Sequence, residues 1–118
     1  MTKEQIATAF STGEFEQTFD FLADSAEWVV VGENRYEGKR AILQQCHQVG
    51  AYFKSFITDF MTIHVISDKN KVVVSGTAEF FRDQKRVSCI SACDMYEFNT
   101  QDKIQTITSY CIPLKIQK

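Results

Sequence analysis

At 118 residues, with 44% hydrophobic and 24% charged side chains, the chain has the size and composition of one globular domain with one core. A net charge of −2 and a pI near 5.6 argue against a nucleic-acid partner, and the scattered basic residues form no run to follow phosphates or an anionic membrane. Ten Phe, against one Pro and five Gly, leave little room for disorder and apolar surface to spare for a cavity or a partner.

The opening "MTKEQIATAF" is polar and lacks a signal peptide's apolar centre. The longest apolar run, Trp28 to Val31, is too short to span a bilayer. Both features predict a cytoplasmic protein without a membrane partner. "TKEQ" predicts a capping box, with Thr2 as N-cap and Gln5 reaching back, and Ile6 and Phe10 then share a helix face. Gly13 interrupts. A second helix is expected from about Glu14, with Phe15, Phe19 and Leu22 at i, i+4 and i+7, ended by "ADS".

"EWVVVG" reads as a short strand buried on both faces, and "GENRYEG" as a turn or tight hairpin. A third helix is expected from about Lys39 to Phe53, with Ile42, Val49 and Phe53 inward. Four long strands follow at roughly 56–67, 71–84, 86–98 and 103–116, broken by the polar turn sequences "SDKNK", "DQK" and "NTQDK". Short turns between consecutive strands imply an antiparallel meander. The order α-α-β-α-β-β-β-β predicts a single α+β domain over residues 1–118, with three N-terminal helices packed on a curved, mostly antiparallel sheet.

Both faces of the long strands are apolar or small, whereas a sheet covered by helices needs only one apolar face. The surplus face predicts a homodimer through the outer side of the sheet. Gly76, inside a strand, predicts a bend that curls the sheet into a cone. The cysteines Cys46, Cys89, Cys93 and Cys111 show no C-x-x-C and no ligand spacing to His47 or His64, so they read as small buried hydrophobes in a reducing compartment. No phosphate loop, metal motif or nucleophile elbow is present, so any chemistry is expected to be cofactor-free acid/base work.

Within "ISACDMYEFNTQDKIQTITSY", the residues Ile90, Ala92, Asp94, Tyr96 and Phe98 share one strand face, and Asp94 puts a carboxylate into an otherwise apolar row. The stretch "DMYEFNTQDKIQTITSYC", with its D-x-x-x-F-x(4)-K-I-Q-T-I-x-x-Y pattern, resembles the last two strands of bacterial ketosteroid isomerases. "FSTGEFEQTFDFLADSAEW" resembles their first helices and first strand, and "EGKRAI" the start of their third helix. From about Glu4 to Leu114 the chain resembles the NTF2-like superfamily of cone-shaped α+β proteins, which includes ketosteroid isomerases and SnoaL-like cyclases.

The resemblance implies that Asp94 stands where isomerases keep a protonated carboxylic acid for hydrogen bonding to a ligand. It places Val29 at or beside the position of the isomerase base, Ile6 at that of the catalytic Tyr, and Ala92 where hydrolases of this fold carry an Arg. The steroid isomerase reaction itself is therefore not expected. The resemblance also implies that Ser75, Thr77, Glu79 and Phe81 line the cone, making Glu79 a weaker second acid/base candidate beside Asp94. The alternative for Glu79 is a solvated strand end or a bulge that turns it outward. His64, sharing parity with Phe60 and Thr62, is a further weak candidate for a base at the cone mouth, or else a surface residue beside a turn. Trp28, Phe60, Thr62, Thr77, Phe81, Ala92, Tyr96, Ser109 and Tyr110 are the expected ligand-binding set, with core packing as the alternative for the aromatics. Arg35 and Tyr36 read as a lid over the mouth or as a solvated turn.

Two functions fit. One is a small-molecule pocket of SnoaL-like type, binding a mostly apolar molecule beside Asp94 and isomerising, cyclising or dehydrating it. The other is a non-catalytic dimerisation or interaction module whose cone is filled by Phe53, Phe60, Phe81 and Phe98. Cavity size separates them.

Overall fold

The computed structural model describes residues 1–115. Helix α1 (Lys3–Ser11) begins with the expected capping box: the Gln5 amide donates to Thr2 Oγ1 at 3.1 Å and the Thr2 amide to Gln5 Oε1 at 2.8 Å. Its apolar face buries Ile6, Ala7 and Phe10. The chain then reverses at Gly13, whose φ of +81° suits a residue without a Cβ; an added Cβ there would meet the Phe53 and Phe60 rings at 3.1–3.3 Å.

The second helix is a correction. Phe15–Phe21 forms a 3-10 helix, not an α-helix. Its buried residues, Phe15 and Thr18, recur at i, i+3, the 3-10 period, and Thr18 Oγ1 donates to the Phe15 carbonyl at 2.6 Å. "ADS" does not terminate this segment but lies within strand β1 (Leu22–Val30). "GENRYEG" contributes a short strand, β2 (Asn34–Glu37), hairpinned onto β1. Helix α2 (Lys39–Lys54) buries Ile42 and Cys46 and half-buries Val49 and Phe53 on the same side. The observed order is therefore one α-helix, a 3-10 helix, two strands, a second α-helix and four strands.

Strands β3 (Ile57–Asp68), β4 (Lys71–Arg82), β5 (Lys85–Phe98) and β6 (Ile104–Pro113) form the expected antiparallel meander. Strand β1 joins parallel to β6, giving one six-stranded sheet in the order β2-β1-β6-β5-β4-β3. The inner face is set by a continuous register. Val72, Val74, Gly76, Ala78 and Phe80 of β4 pair with Tyr96, Asp94, Ala92, Ile90 and Ser88 of β5, and Val72, Val74, Phe80 and Tyr96 are buried. The row Ser75, Thr77, Glu79, Phe81, expected to face inward, is thus the opposite one, although Ser75 and Thr77 still border the interior space beside Gly76. Both rows of β4 are apolar or small, so periodicity alone does not choose between them.

Two devices curve the sheet. The β3–β4 register shifts between Thr62 and His64, and Gly76 pairs with Thr62 beside that bulge. An added Cβ on Gly76 would lie 2.3 Å from the Met61 carbonyl oxygen, so β3 passes where a side chain would be. Gly50, inside α2, has nothing within 4 Å of such a Cβ. Gly76→Ala is therefore expected to lower stability by about 2 kcal/mol or more, because backbone must move. Gly50→Ala is expected to raise it by about 0.5–1 kcal/mol. Urea unfolding of both variants checks the pair; a neutral Gly76→Ala would mean that the bend does not require glycine.

Candidate functional site

A cavity of about 320 Å³ lies between the helices and the inner face of the sheet. Its floor and walls come from Phe10 and Ser11 at the end of α1, Phe15, Trp28 of β1, Phe53 of α2, Phe60 of β3, Val74 of β4, and Ala92 and Asp94 of β5. The exposed residues Glu33, Asn34, Tyr52 and Met61 also border it and mark its mouth.

Asp94 sits across from Val74 on one side and Ser109 on the other, on the inward face. Ser11 Oγ donates to Asp94 Oδ2 at 2.8 Å. The Ser11 and Tyr96 hydroxyl oxygens are 2.5 Å apart. With the Ser11 proton given to Asp94, Tyr96 is the donor in that contact. Trp28 Nε1 donates to Ser109 Oγ at 2.9 Å, and Ser109 stands opposite Asp94 on β6. The Tyr96–Ser11 chain thus ends on the carboxyl, and the Trp28–Ser109 pair lies beside it.

Burial pushes the Asp94 carboxyl above the ordinary carboxylate range, and the hydrogen bonds from Ser109 and Ser11 oppose this only in part. Asp94 has no cationic partner among the described residues; their ion pairs are Lys3–Asp102, Arg35–Glu27, Arg35–Glu37 and Arg86–Glu79. Burial, then the nearby Asp94 charge, holds the Tyr96 phenol well above its usual value. The Cys111 thiol, at the cavity edge, is pushed up to about 11, by burial first and then by Asp94 and Glu33. Cys111 is exposed, not buried as expected, but a thiol raised this far is no nucleophile at neutral pH.

Of the expected set, Asp94, Trp28, Phe60, Thr62, Thr77, Ala92 and Ser109 border the cavity, Thr77 beside the Gly76 bend. Tyr96 is fully buried one step behind the wall and reaches Asp94 through Ser11. The remaining candidates lie elsewhere. Glu79 belongs to the outer row and pairs with Arg86 at 3.0 Å, and Phe81 shares that row. Tyr110 pairs with Cys93 on the outer face and is 43% exposed. His64 shares no face with Phe60 and Thr62, because the bulge at Ile63 inserts one residue and puts His64 opposite Ser75.

Tyr36 is a wall residue packed on Trp28 with ring centroids 5.5 Å apart, whereas Arg35 is bound to Glu27 at 3.0 Å. Phe10, Ser11, Phe15, Val49, Phe80 and Cys111 were not anticipated as lining residues. Ser11 follows the apolar pair Ile6 and Phe10 directly, and that position one residue past a helix's buried face was its available signal.

Residues 3–107 match the profile of the SnoaL-like domain. A comparison with curated proteins found no match. Among solved structures, an NTF2-like protein of unknown function from Cytophaga hutchinsonii is 32% identical, with a TM-score of 0.82 over 92% of this chain and 94% of that one. An LEH-like epoxide hydrolase from M. tuberculosis is 16% identical, with a TM-score of 0.67 over 92% of this chain and 81% of its own. SalBIII, an epoxide hydrolase/cyclase-like enzyme with a role in pyran ring formation in polyether salinomycin, is also 16% identical, with a TM-score of 0.67 over 92% and 89%. The last two show likeness of fold alone. By the profile match and the Cytophaga relative, the chain belongs to the SnoaL-like family of the NTF2-like superfamily.

Proposed function

We propose that the protein binds a small, mostly apolar molecule in the cone and that Asp94 meets that molecule's polar group, exchanging a hydrogen bond or a proton with it. The observation that carries this reading is a carboxyl on the cavity wall, raised by burial and without a cationic partner among the described residues. Such a group is a candidate to exchange a hydrogen bond or a proton with a ligand. The cavity supports the pocket over the filled cone: Phe53 and Phe60 form walls, Phe81 lies on the other face, and Phe98 is buried in the core. Its volume of about 320 Å³ is at the small end of typical ligand sites.

The fold also houses an epoxide hydrolase and a cyclase-like enzyme, which supports chemistry on a small molecule as the class of any turnover. Glu79 and His64 face away, so Asp94 would carry proton transfer without them. Chemistry at this site would be isomerisation, cyclisation or dehydration.

The outer face supports a second copy of the chain as partner. Ile66, Met95, Tyr110 and Ile112 are exposed there, spread over three strands around the small residue Ser91. A continuous apolar sheet face of this kind favours an isologous dimer.

Trp28 is the only tryptophan and borders the cavity, so it reports occupancy directly. β-Naphthol is expected to change its fluorescence with a dissociation constant below about 1 mM. Ala92→Leu, which fills the inner face, is expected to weaken that binding at least tenfold while the protein stays folded. Equal binding in the variant, or none in the wild type, would remove the pocket reading. For the outer face, sedimentation is expected to give twice the 13.5 kDa chain mass, and Ile112→Lys to give the single chain. A monomeric wild type contradicts the dimer.

A further inference from the structure

The hydrogen-bond accounting of the cavity has a direction. The Trp28 N–H is given to Ser109, which stands opposite Asp94, the Tyr96 proton to Ser11, and the Ser11 proton to Asp94. The Trp28, Tyr96 and Ser11 donors are spent inside the network, which ends on Asp94, an acceptor once ionised. What enters beside the ionised carboxyl is therefore best matched if it donates.

Charge points the same way. No Lys, Arg or His borders the cavity among the described residues, while Asp94 and Glu33 both do. After burial, both carboxylates push the Cys111 thiol up. A buried carboxylate normally has a cationic partner, and none of the described ion pairs includes Asp94. The walls are aromatic as well: Phe10, Phe15, Trp28, Tyr36, Phe53 and Phe60 all border the space. Aromatic rings accept a cation and do not favour an anion.

We propose that the ligand is a cation: a small arylalkyl amine whose ammonium pairs with the Asp94 carboxylate while its apolar body lies among the aromatic walls. This names the ligand class for the pocket proposed above and rests on that reading. The proton balance is simple. An amine arriving neutral takes the Asp94 proton, so the O–H bond breaks and the N–H bond forms. An amine arriving as ammonium displaces that proton to water. In both cases the ion pair keeps the hydrogen bond from Ser11.

Three probes of similar size test the charge: dimethylphenethylamine, benzylacetone and phenylbutyrate, titrated by calorimetry at pH 7 into wild type and Asp94→Asn. The amine is expected to bind at least tenfold more tightly than the neutral ketone, and the carboxylate not at all. Asp94→Asn is expected to erase the preference for the amine while still binding the ketone. If the ketone or the acid matches the amine, or if Asp94→Asn keeps the preference, the cation is wrong and the pocket stands. If none of the three binds at about 10 mM while β-naphthol does, the cation is again wrong alone. If β-naphthol fails too, the pocket reading falls with it.

Discussion

One carboxyl joins three elements of this fold. Asp94 of β5 accepts from Ser11 at the end of α1 and faces Ser109 of β6, and Trp28 and Tyr96 are tied in behind those serines. The other inner-row residues of β5 that flank it, Ala92 and Tyr96, give a small contact and a buried ring, so the carboxyl has protein on most sides and the cavity on the remaining one. Removing water from a carboxylate is unfavourable, and hydroxyl donors offset only part of that. The arrangement is therefore a local tension held by the surrounding packing, in which Phe10 contacts Trp28 edge-on at 5.0 Å and Tyr96 at 6.0 Å.

The cavity exists because the sheet does not close flat on the helices. The bulge at Ile63 and the missing side chain at Gly76 bend β3 and β4 around the end of α2, where Phe53 packs edge-on against Phe60 at 5.2 Å. Ala78 and Ala92 then contribute methyl groups where larger side chains would fill the space. Backbone geometry and small inner residues thus keep open a volume that the chain's ten Phe had the bulk to occupy.

The fold was largely legible from sequence because its elements carry unambiguous boundaries: the Thr2–Gln5 box, the polar turns, and a helix with Ile42, Val49 and Phe53 in phase. Asp94 was legible because one charged residue in an apolar alternating row is informative without its neighbours. Strand β4 was not, since Val72–Phe80 and Val73–Phe81 are equally plausible inner rows and only pairing with β5 distinguishes them. His64 was misplaced by a one-residue bulge, which reverses every later side chain in a strand and leaves no mark in composition. Ser11 was missed because its partner lies 83 residues away, a separation that no local pattern encodes. The 3-10 helix was read as α because Phe15 and Phe19 also fit a four-residue spacing.

The central claim, that Asp94 is a buried carboxyl with a raised pKa, is tested most directly by comparing the unfolding free energy of wild type and Asp94→Asn at pH 5 and pH 8. A carboxyl whose folded pKa is raised adds stability below its unfolded pKa and loses it as pH rises through the folded value. Asparagine has no such dependence and still accepts from Ser11. Cys111, at about 11, and Tyr96, well above its usual value, do not change charge in this window. The account predicts that Asp94→Asn gains on wild type in stability between pH 5 and pH 8. A variant that instead loses stability toward pH 8 would show that ionised Asp94 holds the fold together, and would contradict it.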